Sequence, residues 1–370
     1  MLAEPSSYAV DLLLADGEYV YGFGVDDAVI VEEFLYVYRH TNRKTIIFER
    51  SGQDVTLGDS LRERSSRMKL FTGAMRDNSL LLSVAMQVGR QPEFAPVYRW
   101  FSNSLLIRTP RARAPAPLVQ RVPRAKETYP GYLDLVRAAD LEISDIRVEE
   151  RDLPSTEVDQ VRAEQLEQEI RSLRQAIQVV DESSADQLHA RVQRLELNRR
   201  SVSAARRHRS LVFVHGDGGA LMTEAEQSAG TIAYLDILSD VLDALATGGV
   251  IVIDELGTSL HPRLLARLIE LFRDKQTNPD HAQLIFATHD ATLLGTSFGE
   301  EVLRRDEIWF TEKHAGSTTL YPLTDFHPRK EDNRERRYLG GSYGGVPAVF
   351  SDTLVEQLLT SRPESTNAAS

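Results

Sequence analysis

The chain has 370 residues, 42% hydrophobic and 26% charged, with a formal net charge of −12 and no cysteine. That length can bury one large core or two to three smaller ones, and the lack of thiols excludes disulfides and thiolate-bound metals. The longest apolar runs fall far short of a bilayer span, and the acidic balance disfavours indiscriminate nucleic-acid binding by the whole surface.

The opening MLAEPSSYAVDLLLADGEYV lacks the basic-then-apolar order of an export signal, so the expected compartment is the cytoplasm. YAVDLLLADGEYVYGFGV carries two apolar runs around Ala15-Asp16-Gly17, which predicts a β-hairpin. AVIVEEFLYVY and KTIIFER predict two further strands, with His40 to Arg43 as the turn, hence an antiparallel sheet. Asn78 to Gln87 predicts a helix with Asn78 or Ser79 as its N-cap. TPRARAPAPLVQRVPR, with four prolines and four arginines, predicts an extended connector.

Beyond Ser155 the period changes. Ala163, Leu166, Ile170, Leu173, Ile177 and Val180 follow a 3-4-3-4-3 spacing, a heptad seam that breaks at Asp181 to Asp186 and resumes at Leu188, Val192 and Leu195. Two short helices folded back on each other, or packing against a partner chain, would each cover such a narrow stripe. The basic run Arg199 to Arg209 is either the solvated end of a long helix or a local nucleic-acid patch. LVFVH, residues 211 to 215, predicts a strand. GGVIVIDEL predicts another, with the β-branched run expected of a strand buried on both faces. HPRLLARLIELFRD predicts an amphipathic helix with Pro262 near its first turn, and QLIFAT the next strand, so that the three make a βαβ unit.

Three features carry chemistry. Asp254 and Glu255 follow a strand of a parallel sheet, where ligand chemistry gathers in open α/β folds. An acid there binds magnesium through its water shell, and its neighbour can orient and deprotonate a water. The plain alternative is a strand that ends in two solvated acids, or a helix cap. His289, in FATHD, ends the next strand of the same βαβ unit and so shares that sheet edge. SAGT, Ser228 to Thr231, opens a helix, where free backbone N–H groups and the helix dipole favour an anion; Ser and Gly also cap many helices with no ligand.

In this order the motifs resemble the ABC-type and SMC-like ATPases: SAGT the signature motif, VIVIDE the Walker B strand, LGTSLHP the D-loop and FATHD the switch-histidine loop. The resemblance is tight over residues 225 to 295 and looser in YVYGFGV, VIVEEFLYVY, IWFTEKHAGSTTLYPLTDF and YLGGSYGGVP. Together these look like the stand-alone ATP-binding proteins of bacterial abortive-infection (anti-phage) loci, in which a helical arm interrupts the ATPase head. The resemblance implies an α/β, P-loop-NTPase-like parallel sheet with an antiparallel β subdomain and a helical-hairpin arm. Residues 1–110 would form the first part of the head, 111–210 the connector and arm, 211–325 the ATPase core and 326–370 a tail. ATP and Mg2+ would be the cofactors. Asp254 would hold the magnesium shell, Glu255 would be the general base and His289 would contact the γ-phosphate. Ser228 and Gly230 would cap the γ-phosphate held by the other subunit of a homodimer, and Ser259 would line the nucleotide from the D-loop. Two positions depart from the family: Thr231 stands where transporters have a second glycine, and His261 where many relatives have Asp.

The phosphate loop G-x-x-x-x-G-K-[ST] is absent, and no Gly-Lys pair occurs anywhere in the sequence. The expectation is that an N-terminal segment of about a hundred residues or fewer, carrying that loop, is absent from this chain, through a misplaced start, a truncated gene or its being a separate polypeptide. Two readings of function follow. One is an ATPase subunit whose nucleotide-dependent dimerisation regulates a separately encoded effector, a nuclease or a toxin. The other is an inactive truncated head that serves as a protein- or nucleic-acid-interaction module. No nuclease domain is expected in the tail, which shows no D-x-D pair.

Overall fold

The computed structural model describes residues 4–39, 43–62, 75–88, 91–109, 116–153, 157–177, 188, 191–196, 206–216, 218–296, 298–329 and 332–346. Strands Ser6–Leu14 (β1), Gly17–Asp26 (β2), Val29–Tyr38 (β3), Lys44–Ser51 (β4) and Asp54–Leu57 (β5) form one antiparallel sheet in sequence order. The β1–β2 hairpin closes through Ala15 and Asp16, with Leu14 opposite Gly17, and the Tyr19 hydroxyl donates to the Asp16 carboxylate at 2.7 Å. Leu105–Arg108 (β6) belongs to a separate sheet. Ile143–Leu153 (β7), Arg206–His215 (β8) and Ala220–Thr223 (β9) make an antiparallel trio. Val250–Ile253 (β10) and Gln283–Phe286 (β11) join β6 in the all-parallel order β11-β10-β6. Trp309–His314 (β12) and Ser317–Pro322 (β13) form a hairpin.

Among the described residues the α-helices of five residues or more are Leu81–Val88 (α1), Ala95–Arg99 (α2), Leu118–Thr128 (α3), Tyr132–Ala138 (α4), Glu157–Ile177 (α5), Ala229–Thr247 (α6), Pro262–Arg273 (α7) and Arg334–Leu339 (α8). The chain divides into two compact units. The first holds residues 1–112, 243–256 and 269–288; the second holds 113–242, 257–268 and 289–370.

In the first unit one face of the antiparallel sheet packs on α1 and α2, burying Tyr19, Leu35, Val37 and Phe48 with Leu81, Ala85, Phe94 and Val97. A charged group lies at the centre of this apolar layer. Glu33, on β3, is fully buried, and its carboxylate accepts the N–H groups of Leu81 and Leu82 at 2.6 and 3.0 Å and the Tyr21 hydroxyl at 3.0 Å. Arg50 of β4 lies 3.5 Å from it and donates to the carbonyls of Ser79 and Gly52. The expected cap of α1, Asn78 or Ser79, is therefore replaced. The helix begins at Leu81, and its unpaired first-turn amides are taken by a carboxylate 48 residues upstream. A local sequence signal cannot show a cap delivered from another strand.

In the second unit α3 corrects the connector expectation. Leu118, Val122 and Ala125 share one buried face, and Pro123 is carried inside the helix. The loss of one helical bond there is offset by that burial and by Arg121, which pairs with the Asp236 and Asp240 carboxylates of α6. The rest of the expected connector, residues 110–115, lies outside the described residues. The heptad stripe behaves as a fold-back pair: Ile170 and Val192 are buried, and Glu169–Arg191 and Arg174–Glu196 form ion pairs between α5 and residues 191–196. The basic run is also corrected. Residues 206–209 lie in β8, not at a helix end, and face Glu150, Arg151, Asp152 and Leu153 of β7 in register, with Arg209 and Glu150 paired at 3.2 Å. Residues 199–205 fall outside the described residues.

The hairpin β12–β13 turns at Ala315-Gly316, both at positive φ, and carries an aromatic core of Phe310, Tyr321, Phe326, Tyr338 and Tyr343. No described helix is long and apolar enough to cross a membrane.

The buried charge gives the first prediction. Glu33→Ala, which strands Arg50 without its counter-charge, should lower the unfolding free energy by about 3 kcal/mol in urea titration. Removing the exposed Glu149–Arg151 pair should change it by no more than about 0.5 kcal/mol.

Candidate functional site

The parallel sheet positions the acid pair. β10 pairs with β6 on one side and β11 on the other, Ile253 lying opposite both Arg108 and Phe286. The ladder continues past the strand end on both sides. The Asp254 N–H donates to the Arg108 carbonyl at 2.8 Å, and the Ala287 N–H donates to the Ile253 carbonyl at 3.0 Å. Two residues on, the Leu256 N–H donates to the Ala287 carbonyl at 2.8 Å. Glu255 sits between two pinned neighbours and turns the chain with φ 56°, a left-handed conformation costly for a residue with a Cβ. Asp254 and Glu255 are both exposed, while Ile253 and Leu256 on either side are buried. A close backbone approach fixes the other end of β10. Gly248, at φ 62°, lies where a Cβ would fall 2.5 Å from the Asp280 carbonyl oxygen.

Arg108 was not legible as a site residue. Its signal was LLIR before Pro110, a short apolar run ended by a residue that cannot continue a ladder. The parallel pairing puts its carbonyl beside Asp254.

The second unit holds the SAGT and LGTSLHP segments. Ser228 is the cap of α6: its Oγ accepts the Thr231 N–H at 3.0 Å and shares a 2.9 Å hydrogen bond with the Thr231 hydroxyl. Thr231 is buried, so the residue that replaces the second glycine is tied into this cap. Before it, the Thr223 N–H and hydroxyl both donate to Glu226 and hold its carboxyl below the usual carboxylate range. Gly230 lies close to the D-loop segment: a Cβ there would stand 3.0 Å from the Ser259 carbonyl oxygen, tighter than an ordinary contact. Ser259 itself is exposed. His261 opens α7: its Nδ1 accepts the Arg263 N–H at 3.2 Å, and its carbonyl accepts from Leu264 and Leu265 in the first turn of α7. That contact puts the ring proton on Nε2. His289 is exposed, and Asp290 after it caps a short turn through the Thr292 N–H at 3.0 Å.

The structure thus brings Asp254 and Glu255 together, beside the Arg108 carbonyl, in one unit. It brings Ser228, Gly230 and Ser259 together in the other, to which His289 also belongs. Among the described residues no three His, Asp or Glu side chains gather as a metal cage. A single exposed carboxylate fits a magnesium ion that keeps its waters and takes phosphate oxygens as further ligands. In the first turn of α6 the Thr231 and Ile232 N–H groups are taken by Ser228, so an anion there would be met by the amides of Ala229 and Gly230. Phosphate-cradling residues of the Gly-Lys type are not in the sequence.

A sequence model of the family described as "AAA domain, putative AbiEii toxin, Type IV TA system" matches residues 2–295, well over half of the chain. No curated protein matches it. Among solved structures, the chain is similar at 10% identity to the Smc head domain with an extended coiled coil, bound to the C-terminal domain of ScpA, from Pyrococcus furiosus. That match covers 85% of this chain and 79% of the other, with a TM-score of 0.28, a superposition too loose to carry the fold.

Backbone strain and capping give the second prediction. Glu255→Gly should raise the unfolding free energy by about 0.5–1 kcal/mol by relieving the left-handed φ, while Ser228→Ala should lower it by about 1 kcal/mol through loss of the α6 cap. Both are read by urea titration.

Proposed function

The chain belongs to the family of AAA domains described as putative AbiEii toxins of type IV toxin–antitoxin systems, and from that premise we propose that it is the metal- and water-handling part of a nucleotide-hydrolysing head. The observation that carries this is the acid pair at the carboxyl end of the central parallel strand, with Asp254 held by the ladder and Glu255 in a strained turn. Strain of this kind persists where the surrounding structure over-determines it, and it clusters at working sites. Asp254 holds the magnesium shell. Glu255, next in the chain and equally exposed, takes a proton from the water that attacks the γ-phosphate. His289 contacts that phosphate. Ser228, Gly230 and Ser259 bind nucleotide carried by the second subunit of a homodimer.

When bound, magnesium neutralises phosphate charge and orients the β- and γ-oxygens. The chain's own residues supply a carboxylate for its waters and a base for the attacking one. They do not supply a lysine to hold the phosphates. The function we infer for the assembled head is ATP-dependent dimerisation that regulates a separately encoded phage-defence effector in the cytoplasm. The second reading, an inactive head used for interaction alone, is favoured by the lack of a Gly-Lys pair.

The test is turnover by the purified chain with and without magnesium. Steady-state phosphate release should stay at background for the chain alone. Turnover that Glu255→Gln abolishes would show that other residues hold the phosphates, and would overturn the assignment of this chain to the metal and water half. When a polypeptide carrying G-x-x-x-x-G-K-[ST] is added, magnesium-dependent release should appear and should fall by about two orders of magnitude or more in Glu255→Gln. Its failure to appear in any such combination would favour the interaction module.

A further inference from the structure

Four of the six residues from Gly340 to Gly345 are glycine, and Tyr343 stands among them. Glycine is costly to order, so what this run holds in place is informative. It follows α8, whose N-cap Asn333 accepts the Arg336 N–H at 2.8 Å. Gly341, at φ 77°, ends the helix: its N–H donates to the Tyr338 carbonyl at 2.8 Å, and the Ser342 N–H donates to the Arg337 carbonyl at 2.9 Å. The turn sets Tyr343 against the β12–β13 hairpin. Tyr343 is 1% exposed, and its ring stacks on Phe310 with centroids 5.5 Å apart and meets Phe326 edge-on at 5.2 Å. Its carbonyl accepts the Tyr321 hydroxyl at 2.8 Å, and at Gly344 a Cβ would fall 2.5 Å from that same hydroxyl. The hydroxyl of Tyr343 is buried with no partner. A buried hydroxyl left unpaired costs free energy, so it is the ring that the fold uses here.

Two contacts join this segment to the loop that bears His289. Leu294, in the short turn Ala291–Leu294 after the histidine, is buried in one core with Tyr343, Ile308, Phe310 and Leu323. Gly295 is buried as well, and a Cβ there would fall 2.5 Å from a Glu335 carboxylate oxygen and 3.4 Å from the Glu335 Cβ, so α8 lies on the same turn. The few residues back to His289 are pinned. Asp290 Oδ1 accepts the Thr292 N–H at 3.0 Å and the Thr292 hydroxyl at 2.5 Å, and the Asp290 carbonyl accepts the Leu293 N–H at 3.4 Å. His289 itself is exposed. Its place is set by β11 before it and by this turn after it.

We propose that Tyr343 is a positioning residue for His289, acting through Leu294, with Glu335 as a second hold on the same turn at Gly295. A group that must meet a phosphate has to be kept within about 0.5 Å of its working place by residues that packing has locked. The aromatic core supplies that lock from a segment far downstream of the histidine. All of these residues, from His289 to Gly345, lie in the second unit, so the clamp is complete within this chain. The inference rests on the reading of His289 as a phosphate contact and deepens it, but its test uses no nucleotide.

The test is hydrogen exchange of the Thr292 and Gly295 amides, whose partners are Asp290 and the Thr292 carbonyl. In the full chain, Tyr343→Ala should speed their exchange by about a hundredfold, more than it speeds that of residues 232–240 of α6 in the same unit. Tyr343→Phe, which keeps the ring and drops the unpaired hydroxyl, should restore the original rates. Should Tyr343→Ala not fold, Tyr321→Phe removes the bond to the Tyr343 carbonyl and should speed the turn by about five- to tenfold. The chain has no cysteine, so a nitroxide on His289→Cys reports that position directly. Its spectrum should narrow in Tyr343→Ala and keep its shape in Tyr343→Phe. Exchange or a nitroxide spectrum unmoved by Tyr343→Ala would overturn the proposal. So would a rise shared equally by α6, or one that Tyr343→Phe reproduces. An intact clamp with no magnesium-dependent phosphate release in any combination would instead count against the ATPase reading alone.

Discussion

Backbone hydrogen bonds at the carboxyl end of β10 decide where the acids of this chain go. Asp254 is tied to Arg108 on one side, and Leu256 is tied to Ala287 on the other. Between these two hydrogen bonds Glu255 turns the chain through a left-handed φ that few non-glycine residues adopt. A carboxylate held this way has little freedom to relax into the conformation its own backbone would prefer. Both acids are exposed while Ile253 and Leu256 are buried, so the two carboxylates stand at the rim of the sheet.

Carboxylates also organise the rest of the chain, in a structural role. Glu33 reaches from a strand into the first turn of α1, and Asp236 and Asp240 receive Arg121 from α3. In each case a charge that would be costly to bury alone is satisfied by helix amides or a guanidinium. These pairings link elements far apart in sequence. They also separate two settings of acids in this protein: Glu33, Asp236 and Asp240 meet backbone amides or arginine inside the fold, and the pair at the sheet edge is exposed.

Much of the fold follows from short-range patterns. The alternation in YAVDLLL and YVYGFGV, the β-branched run of VIVI and the amphipathic spacing in RLLARLIELF each give the element the structure contains, because each is decided by neighbours two to four residues away. The resemblance of SAGT, LGTSLHP and FATHD to a known family rests on the same kind of local evidence. What was misread was set by distant partners. LVQRVPRAKET is a helix despite Pro123, because its face meets α6 and a strand. Residues 206–209 are a strand because β7 pairs with them. The cap of α1 and the pairing of LLIR with VIVI depend on residues tens to more than a hundred positions away.

The sequence by itself determined that two acids follow a β-branched strand, that a serine opens a helix before it and that a histidine follows the next strand, whereas the structure covers only Ile251 and Ile253 of that strand fully. It also determined that no Gly-Lys loop accompanies them. Only the tertiary structure decided that Glu255 adopts a left-handed φ, that Ser228 and Thr231 are bound to each other and that Gly230 lies close to the Ser259 carbonyl. The reason is physical. Residue type and period fix what a segment prefers, whereas backbone angle, close approach and exposure depend on which distant segment hydrogen-bonds or packs against it.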